Sequence, residues 1–339
     1  MEGFKEVDKQ DLKIETVKVD MIRPLCFKDY IGQEELKNHM AIVIESAKMR
    51  SRSLPHTLIY GQPGLGKTTL ATILANEMGK NIFYTSAPAI EKPADLVSLL
   101  IKLQDGDILF IDEIHGLKIQ TEEIIYPAME DKVVDINIPT AKENNIIRIP
   151  LKNFTLIGAT TKPGKMSNPF RDRFPIQLQL KYYAVEELSQ IIKRTASIVN
   201  LKIDDIAAFE LAKRSRGTAR IANNLLERAG DYAIVKNNSH VTIDIVKEAM
   251  DYMKIDEFGL DSIDRKIIYI LYHHYKNKAT GLKNLANTVQ EDVETVENIV
   301  EPYLLQQKII IRTERGRILT DFGIEYAKKI SNTDINIIQ

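Results

Sequence analysis

The sequence has one cysteine, Cys26, in 339 residues. A lone thiol excludes an internal disulfide and any zinc site built on clustered cysteines, and it suits a reducing compartment. Long apolar runs are also missing: no uninterrupted hydrophobic stretch approaches the roughly 20 residues that cross a bilayer. Met1 to Asp20 alternates charges and lacks the apolar centre of a signal peptide, so a cytoplasmic location is expected. Neither sign of charge is in surplus. Lys and Arg total 46 against 47 Asp and Glu, a formal net charge of −1. Any affinity for nucleic acid must therefore lie in how the charges are distributed. Internal repeats and low-complexity segments are absent too. What remains is an ordinary globular composition, 44% hydrophobic and 27% charged, in a chain long enough for two or three domains.

The most informative stretch is Leu58 to Leu70. A short apolar run ends at Tyr60, a glycine-rich turn follows, and Lys67-Thr68-Thr69 opens a segment of helical periodicity. Gly61 to Thr68 fit G-x-x-x-x-G-K-[ST], the phosphate-binding loop. Gly61, Gly64 and Gly66 let successive N–H groups turn inward toward phosphate oxygens, and the following helix adds the positive end of its dipole. Lys67 is then expected on the β- and γ-phosphates, and the Thr68 hydroxyl on Mg²⁺. A chance glycine turn would not produce this strand–loop–helix setting, so the chain is read as binding a nucleoside triphosphate.

Strands alternate with helices through the first half. Asn81–Thr85 reads as a strand and Pro93–Leu103 as a helix. The apolar run Ile108 to Ile111, ending in Asp112-Glu113, reads as a strand buried on both faces of a parallel sheet. Phe154–Thr161 is a further strand with Thr160 and Thr161 at its tip. This pattern predicts a doubly wound α/β domain with ligands at the carboxyl ends of its strands. Asp112 is expected to hold the Mg²⁺ hydration shell and Glu113 to orient the attacking water, while a threonine at the next tip senses the γ-phosphate. His115 has no clustered partner and reads as a polar residue at a helix start. Val133–Ile138 and Ile146–Ile149 form an inserted hairpin; its β-branched side chains fit either burial or a partner surface.

Two arginine segments carry two readings each. Arg171 and Arg173 flank Asp172 after Pro169, which fits a surface ion pair or an arginine donated to a neighbouring subunit's nucleotide. Arg220 sits in the first turn of a helix opened by Gly217-Thr218, where a cation is slightly disfavoured, a weak sign that it faces an anion. From Val185 on the pattern is helical without obvious strands, until Ile309–Thr313 and Gly316–Thr320 read as a short hairpin. Helices followed by a hairpin outline a winged helix. Lys308, Arg312, Arg315 and Arg317 surround that hairpin against Glu314 alone, which favours salt-sensitive, largely sequence-independent backbone contact over a merely solubilised edge.

The motifs taken together resemble the RuvB family of bacterial AAA+ motors, from about Ile22 to Thr320. The resemblance runs through Gly61–Thr69, Leu109–His115, Tyr126–Asp131, Gly158–Thr161, Arg171–Phe174, Arg216–Thr218 and Glu301–Leu304. It implies an AAA+ P-loop core with a parallel sheet, a small helical lid and a C-terminal winged helix. The boundaries expected are 1–20 as a weakly ordered leader, 21–183 as the large ATPase domain with the hairpin at 133–149, 184–254 as the lid and 255–339 as the winged helix. It further implies an ATP- and Mg²⁺-dependent homo-hexamer on duplex DNA at Holliday junctions, with RuvA bound through the 133–149 hairpin and RuvC in the resolving complex. Transferred by motif, Ile22, Arg23 and Tyr183 line the adenine, and Gly64, Lys67, Thr68 and Thr69 the phosphates. Asp112 and Glu113 are the Walker B pair, Thr161 the first sensor, Arg173 the finger and Arg220 the second sensor. Positions matching Glu130, Asp131 and Lys132 lie near nucleotide in the family, with Lys132 standing where an aromatic residue is usual. Arg312 and Arg317 would touch DNA.

Several positions depart from the family pattern: Gln62, Gly116, Lys162, Ala219 and Pro175, and the whole of Pro139–Asn145, where a Gly-rich hairpin tip is not kept. That last departure falls on the segment through which the resemblance implies RuvA binding. Two other classes compete with the motor. A clamp-loader-like ATPase would not need a basic wing, and a DNA-binding regulator using ATP only for assembly would not need Asp112-Glu113.

Overall fold

The computed structural model of the chain describes residues 22–139 and 144–333. They form two compact units: residues up to Val199 together with Thr218–Arg220, and Asn200–Gly217 together with the residues from Ile221 on.

The first unit is built on a five-stranded parallel sheet. Its strands are β1 (Thr57–Tyr60), β2 (Ile82–Ser86), β3 (Ile108–Asp112), β6 (Thr155–Thr160) and β7 (Ile176–Gln179), in the order β2-β3-β6-β1-β7. β6 is buried along its whole length, and β1 and β3 up to their last residues, as their unbroken apolar runs require. The edge strands β2 and β7 are half exposed. β7 is invisible to periodicity because Ile176-Gln177-Leu178-Gln179 is short and sits at an edge. Helices α1 (Glu34–Met49), α2 (Lys67–Met78), α3 (Pro93–Lys102), α4 (Ile119–Glu130), α5 (Asn168–Asp172) and α6 (Val185–Ile198) complete the unit. One core cluster joins Leu58, Leu109 and Ile111 of the sheet to Leu96, Ile125, Phe154, Phe170 and Phe174. The hairpin β4 (Val133–Pro139) and β5 (Asn144–Pro150) pairs from Val133↔Pro150 to Pro139↔Asn144, and Asp135 and Arg148 face one another across it at 2.8 Å. Most of the divergent tip lies outside the described residues.

The second unit is mostly helical. α7 (Asp205–Lys213), α8 (Ala219–Lys236) and α9 (Ile243–Tyr252) are joined by a two-residue parallel pair, β8 (Lys202–Ile203) and β9 (His240–Val241), which is too short to leave a mark on the sequence. α10 (Ser262–Tyr269) runs on through a π turn at Ile270–His274. α11 (Leu282–Val289) follows, then a helical run made of α12 (Val293–Thr295), a π turn at Val296–Val300 and α13 (Glu301–Gln306). β10 (Ile310–Thr313) and β11 (Gly316–Leu319) form an antiparallel hairpin before α14 (Asp321–Thr333). An isolated bridge between Thr280 and Arg317 lays the α10–α11 loop against that hairpin, completing a winged helix.

The winged helix is fastened to the preceding helices by Arg216. Its guanidinium reaches Asp264 at 2.5 Å and Asp261 at 3.0 Å, and lies 4.8 Å from the Tyr303 ring. Beside it Arg214 clasps Glu210 and donates to the Ile255 carbonyl at 3.0 Å. Gly259 makes this approach possible, because at φ +74° a side-chain carbon there would fall 2.6 Å from the Arg214 carbonyl oxygen.

Candidate active site

Strand order decides what meets what. β6 lies between β3 and β1, so the phosphate loop, Asp112-Glu113 and Thr160-Thr161 leave the carboxyl ends of three consecutive strands. Lys67 is buried, and its ammonium donates to the Gly61 carbonyl at 2.9 Å and the Gln62 carbonyl at 3.3 Å. Burial lowers its pKa, against the pull of Glu113 and then Asp112 in the other direction. Lysine and both acids therefore share one electrostatic environment.

The loop itself is a close-packed cradle. A side-chain carbon at Gly61 would meet the Leu180 carbonyl at 2.9 Å, and one at Gly64 would come within 3.0 Å of Arg220 Cβ. The Arg220 N–H donates to the Gly64 carbonyl at 3.2 Å, which sets the start of α8 against the loop. Tyr183, almost fully buried, donates to the Leu65 carbonyl at 3.2 Å and accepts from the Tyr30 hydroxyl at 3.3 Å. Burial raises the pKa of both tyrosines. Ile22 is held through its carbonyl by Arg194 of α6 at 2.7 Å, and Arg23 and Thr69 are part-buried beside these elements.

Glu113 is the strained residue of the site. It occupies the left-handed region at φ 46°, a conformation that costs on the order of 1–2 kcal/mol outside glycine. Its N–H donates to the Asp112 carboxylate at 3.0 Å. Its own carboxylate accepts from the Thr161 N–H at 3.2 Å and the Thr161 hydroxyl at 3.0 Å. The structure thus separates two threonines that the sequence leaves equivalent. The Thr160 hydroxyl is fully buried, bonded to His115 at 2.9 Å and to the Lys162 N–H at 3.0 Å. Thr161 is the one that touches Glu113. His115, read from sequence as an ordinary polar residue, also lies 3.2 Å from the Glu113 carboxylate. Burial holds its pKa below the usual value, with Glu113 opposing. Its signal in the sequence was only its distance of two residues from Glu113.

Glu130, Asp131, Lys132 and Arg173 do not gather at the phosphate loop of their own chain. His56, just before β1, accepts from the Leu156 N–H of β6 at 2.8 Å and so marks the N-terminal edge of the sheet. Lys132 donates to the Met129 carbonyl at 2.6 Å and lies 3.2 Å from His56. Burial and the Lys132 charge push His56 down to about 4, so the ring is neutral. Arg173 comes just before β7, which pairs with β1 at the same edge. Its Nε is 3.2 Å from Glu130, its guanidinium carbon 4.2 Å from the Tyr126 ring, and Nη1 donates to Pro169 at 2.8 Å. A strand of four residues spans about 13 Å, so this cluster and the phosphate loop sit at opposite ends of β1.

In the second unit, Glu301 is 2% exposed and binds both arginines of the wing. Arg317 makes two bonds to it, at 2.8 and 3.0 Å, and Arg312 makes one at 2.7 Å. Burial pushes the Glu301 pKa up, but the two arginines outweigh it and the net shift is downward. Arg312 remains 52% exposed and Arg317 only 16%. The two arginines are therefore not equivalent: Arg317 is mainly a clamp, and Arg312 presents its charge to water.

Three family models match the chain in succession: the Holliday junction DNA helicase RuvB P-loop domain over residues 22–180, the RuvB AAA lid domain over 183–256 and the RuvB C-terminal winged helix domain over 257–328. Among solved structures, a lysine-to-arginine mutant of Thermotoga maritima RuvB is 43% identical with a TM-score of 0.82, covering 91% of this chain and 98% of that one. The Thermotoga maritima RuvB Holliday junction branch migration motor and an arginine-to-alanine form of it are each 42% identical, with TM-scores of 0.81 and the same coverage. With the phosphate loop, acid pair and wing in place on a fold matched over 91% of the chain, the chain belongs to the RuvB family of AAA+ P-loop ATPases, the Holliday junction branch migration motors.

Proposed function

We propose that the chain is an ATP-driven ring motor that draws duplex DNA through its centre and so moves four-way junctions in recombination and repair. RuvA is the recruiting partner through the 133–149 hairpin, and RuvC joins in the resolving complex. One observation carries the reading: Glu113 is held by Thr161 at the carboxyl ends of two strands that adjoin the phosphate loop.

The residues fit a magnesium nucleoside triphosphate. The close-packed glycine loop leaves room for phosphate oxygens rather than side chains, and Lys67 rests on loop carbonyls that a phosphate can replace. Thr68 and Asp112 would hold the cation, which neutralises charge on the phosphates. No cluster of three His, Cys, Asp or Glu among the described residues could hold a metal unaided, as suits an ion carried in with its nucleotide. Glu113 orients the attacking water and Thr161 fixes that carboxylate. Arg220 approaches the phosphates from the start of α8, and Ile22, Arg23 and Tyr183 flank the base.

Arg173, placed with Glu130 at the far edge of the sheet, serves the nucleotide of the adjacent subunit in a homo-hexamer. Glu130, Asp131 and Lys132 belong to that same donated edge. The wing carries the motion to DNA through Arg312, with Arg317 holding the hairpin in shape. The test is ATP-dependent dissociation of a synthetic four-way junction, with and without RuvA. Robust ATP turnover with no junction movement under either condition would reject the motor in favour of a remodelling switch.

A further inference from the structure

The winged helix has an uneven distribution of charge. The helical run after α11 is introduced by Glu291 and Asp292 and carries Glu294, Glu297 and Glu301, with no Lys or Arg before Lys308. Asp292, Glu294 and Glu297 are exposed. In a helix-turn-helix protein this third helix usually enters the groove. Here its acids would face phosphates of the same sign, which opposes that mode of docking.

The cations lie in two other segments. One is the wing, with exposed Arg312 and Arg315. The other is the loop between α10 and α11 and the first turn of α11. Lys276, Lys278 and Lys283 are all exposed there and form no ion pair among the described residues. The two segments are joined through the main chain. The Thr280 N–H donates to the Arg317 carbonyl at 3.0 Å, and the Arg317 N–H donates back to Thr280 at 2.8 Å. Thr280 is 4% exposed, and this single antiparallel bridge anchors the loop beside β11.

Its shape is fixed as well. Lys276 and Asn277 both take left-handed conformations, at φ 50° and 52°. The Asn277 amide accepts from the Leu319 N–H at 2.7 Å and donates to the Leu319 carbonyl at 3.3 Å, bridging the loop to the end of β11. An open cavity of about 370 Å³ lies along this loop, lined by His274, Lys276, Lys278, Thr280, Gly281 and Asn284. The groups facing it are cationic or neutral, and no carboxylate lines it.

From this we infer that the Lys276–Lys283 loop is a second contact for the nucleic-acid phosphate backbone, beside the wing, so that the domain grips duplex by two adjoining cationic segments and not by its third helix. The inference rests on the reading that the winged helix binds DNA. It is tested with full-length protein and a labelled blunt duplex, measuring affinity across a salt series for the unaltered chain, the Lys276→Ala/Lys278→Ala double variant, the double Lys→Arg variant and Arg312→Ala.

Each lost phosphate contact removes about 0.9 from the slope of log affinity against log salt. The alanine pair should lower that slope by about 1–2, and the arginine pair should restore it. An unchanged slope in the alanine pair, while Arg312→Ala lowers it, overturns the loop contact and leaves the DNA-binding reading intact. Failure of the unaltered chain to bind duplex at any salt overturns both. Unfolding midpoints matching that of the unaltered chain tie the slope change to charge rather than to damage.

Discussion

Lys67 sits among loop carbonyls that phosphate oxygens would replace on the proposed reading, and no other cation among the described residues bonds the Gly61 or Gln62 carbonyl. Lys67→Ala should bring phosphate release down to background, a loss of at least about 10³-fold. Arg173 poses a different case, since it touches Glu130 and Tyr126 and not its own loop. Arg173→Ala should leave nucleotide affinity nearly unchanged and cut turnover by about 10³–10⁵-fold, measured with labelled nucleotide binding and steady-state phosphate release on one preparation. The two threonines at the tip of β6 should separate in the same assays. Thr161→Val loses the hold on Glu113 and should lower turnover with little effect on unfolding. Thr160→Val leaves buried partners unsatisfied and should lower stability by about 1–2 kcal/mol in urea. Equal effects on turnover in both variants would show that the sensor assignment is wrong.

At the scale of elements, the wing depends on one buried carboxylate. Glu301→Gln leaves Arg317 without its counter-charge and should destabilise the winged helix by about 3 kcal/mol. Nearly all of that comes from Arg317, because Arg312 is half in water. The stability that Glu301 contributes is present above its unfolded pKa of about 4.3 and is lost as pH falls below it through the lowered folded value. Most elements were legible in the sequence. The wing strands match their sequence reading to within one residue at each end, because a Gly turn marks them. β7 and the β8/β9 pair were not, because two to four residues at an edge gain their identity only from a partner strand.

At the scale of the molecule, turnover should depend on assembly. When the protein is diluted until it no longer self-associates, ATP hydrolysis per chain should fall toward the Arg173→Ala level. Full activity in a monomer would reject the donated finger. A second prediction concerns pH. Burial pushes the Asp264 carboxyl up to about 7, with Arg216 pulling it down. Its folded pKa thus exceeds the unfolded value of about 3.9, so the folded state favours the proton. The corresponding stability is complete below about 4 and is lost as pH rises to about 7. Unfolding midpoints should fall over that window in the unaltered chain and fall less in Asp264→Asn. Equal slopes would remove Asp264 as the titrating group.

By itself the sequence determined the chemistry on offer: a glycine loop ending in Gly66-Lys67-Thr68, two acids after a buried strand, and cations around a hairpin. These are local patterns, set by spacing along a few residues, and they survive without knowledge of the fold. Only the tertiary structure decided which groups meet. Strand order brought the tip of β6 beside Glu113 and the local course of the chain turned Thr161 rather than Thr160 onto it, the sheet's length put Arg173 and Lys132 at the edge away from the loop, and a buried Glu301 made one wing arginine a clamp. Such pairings join residues that lie far apart in sequence or that look alike locally, so their energetics come from burial and contact and not from pattern.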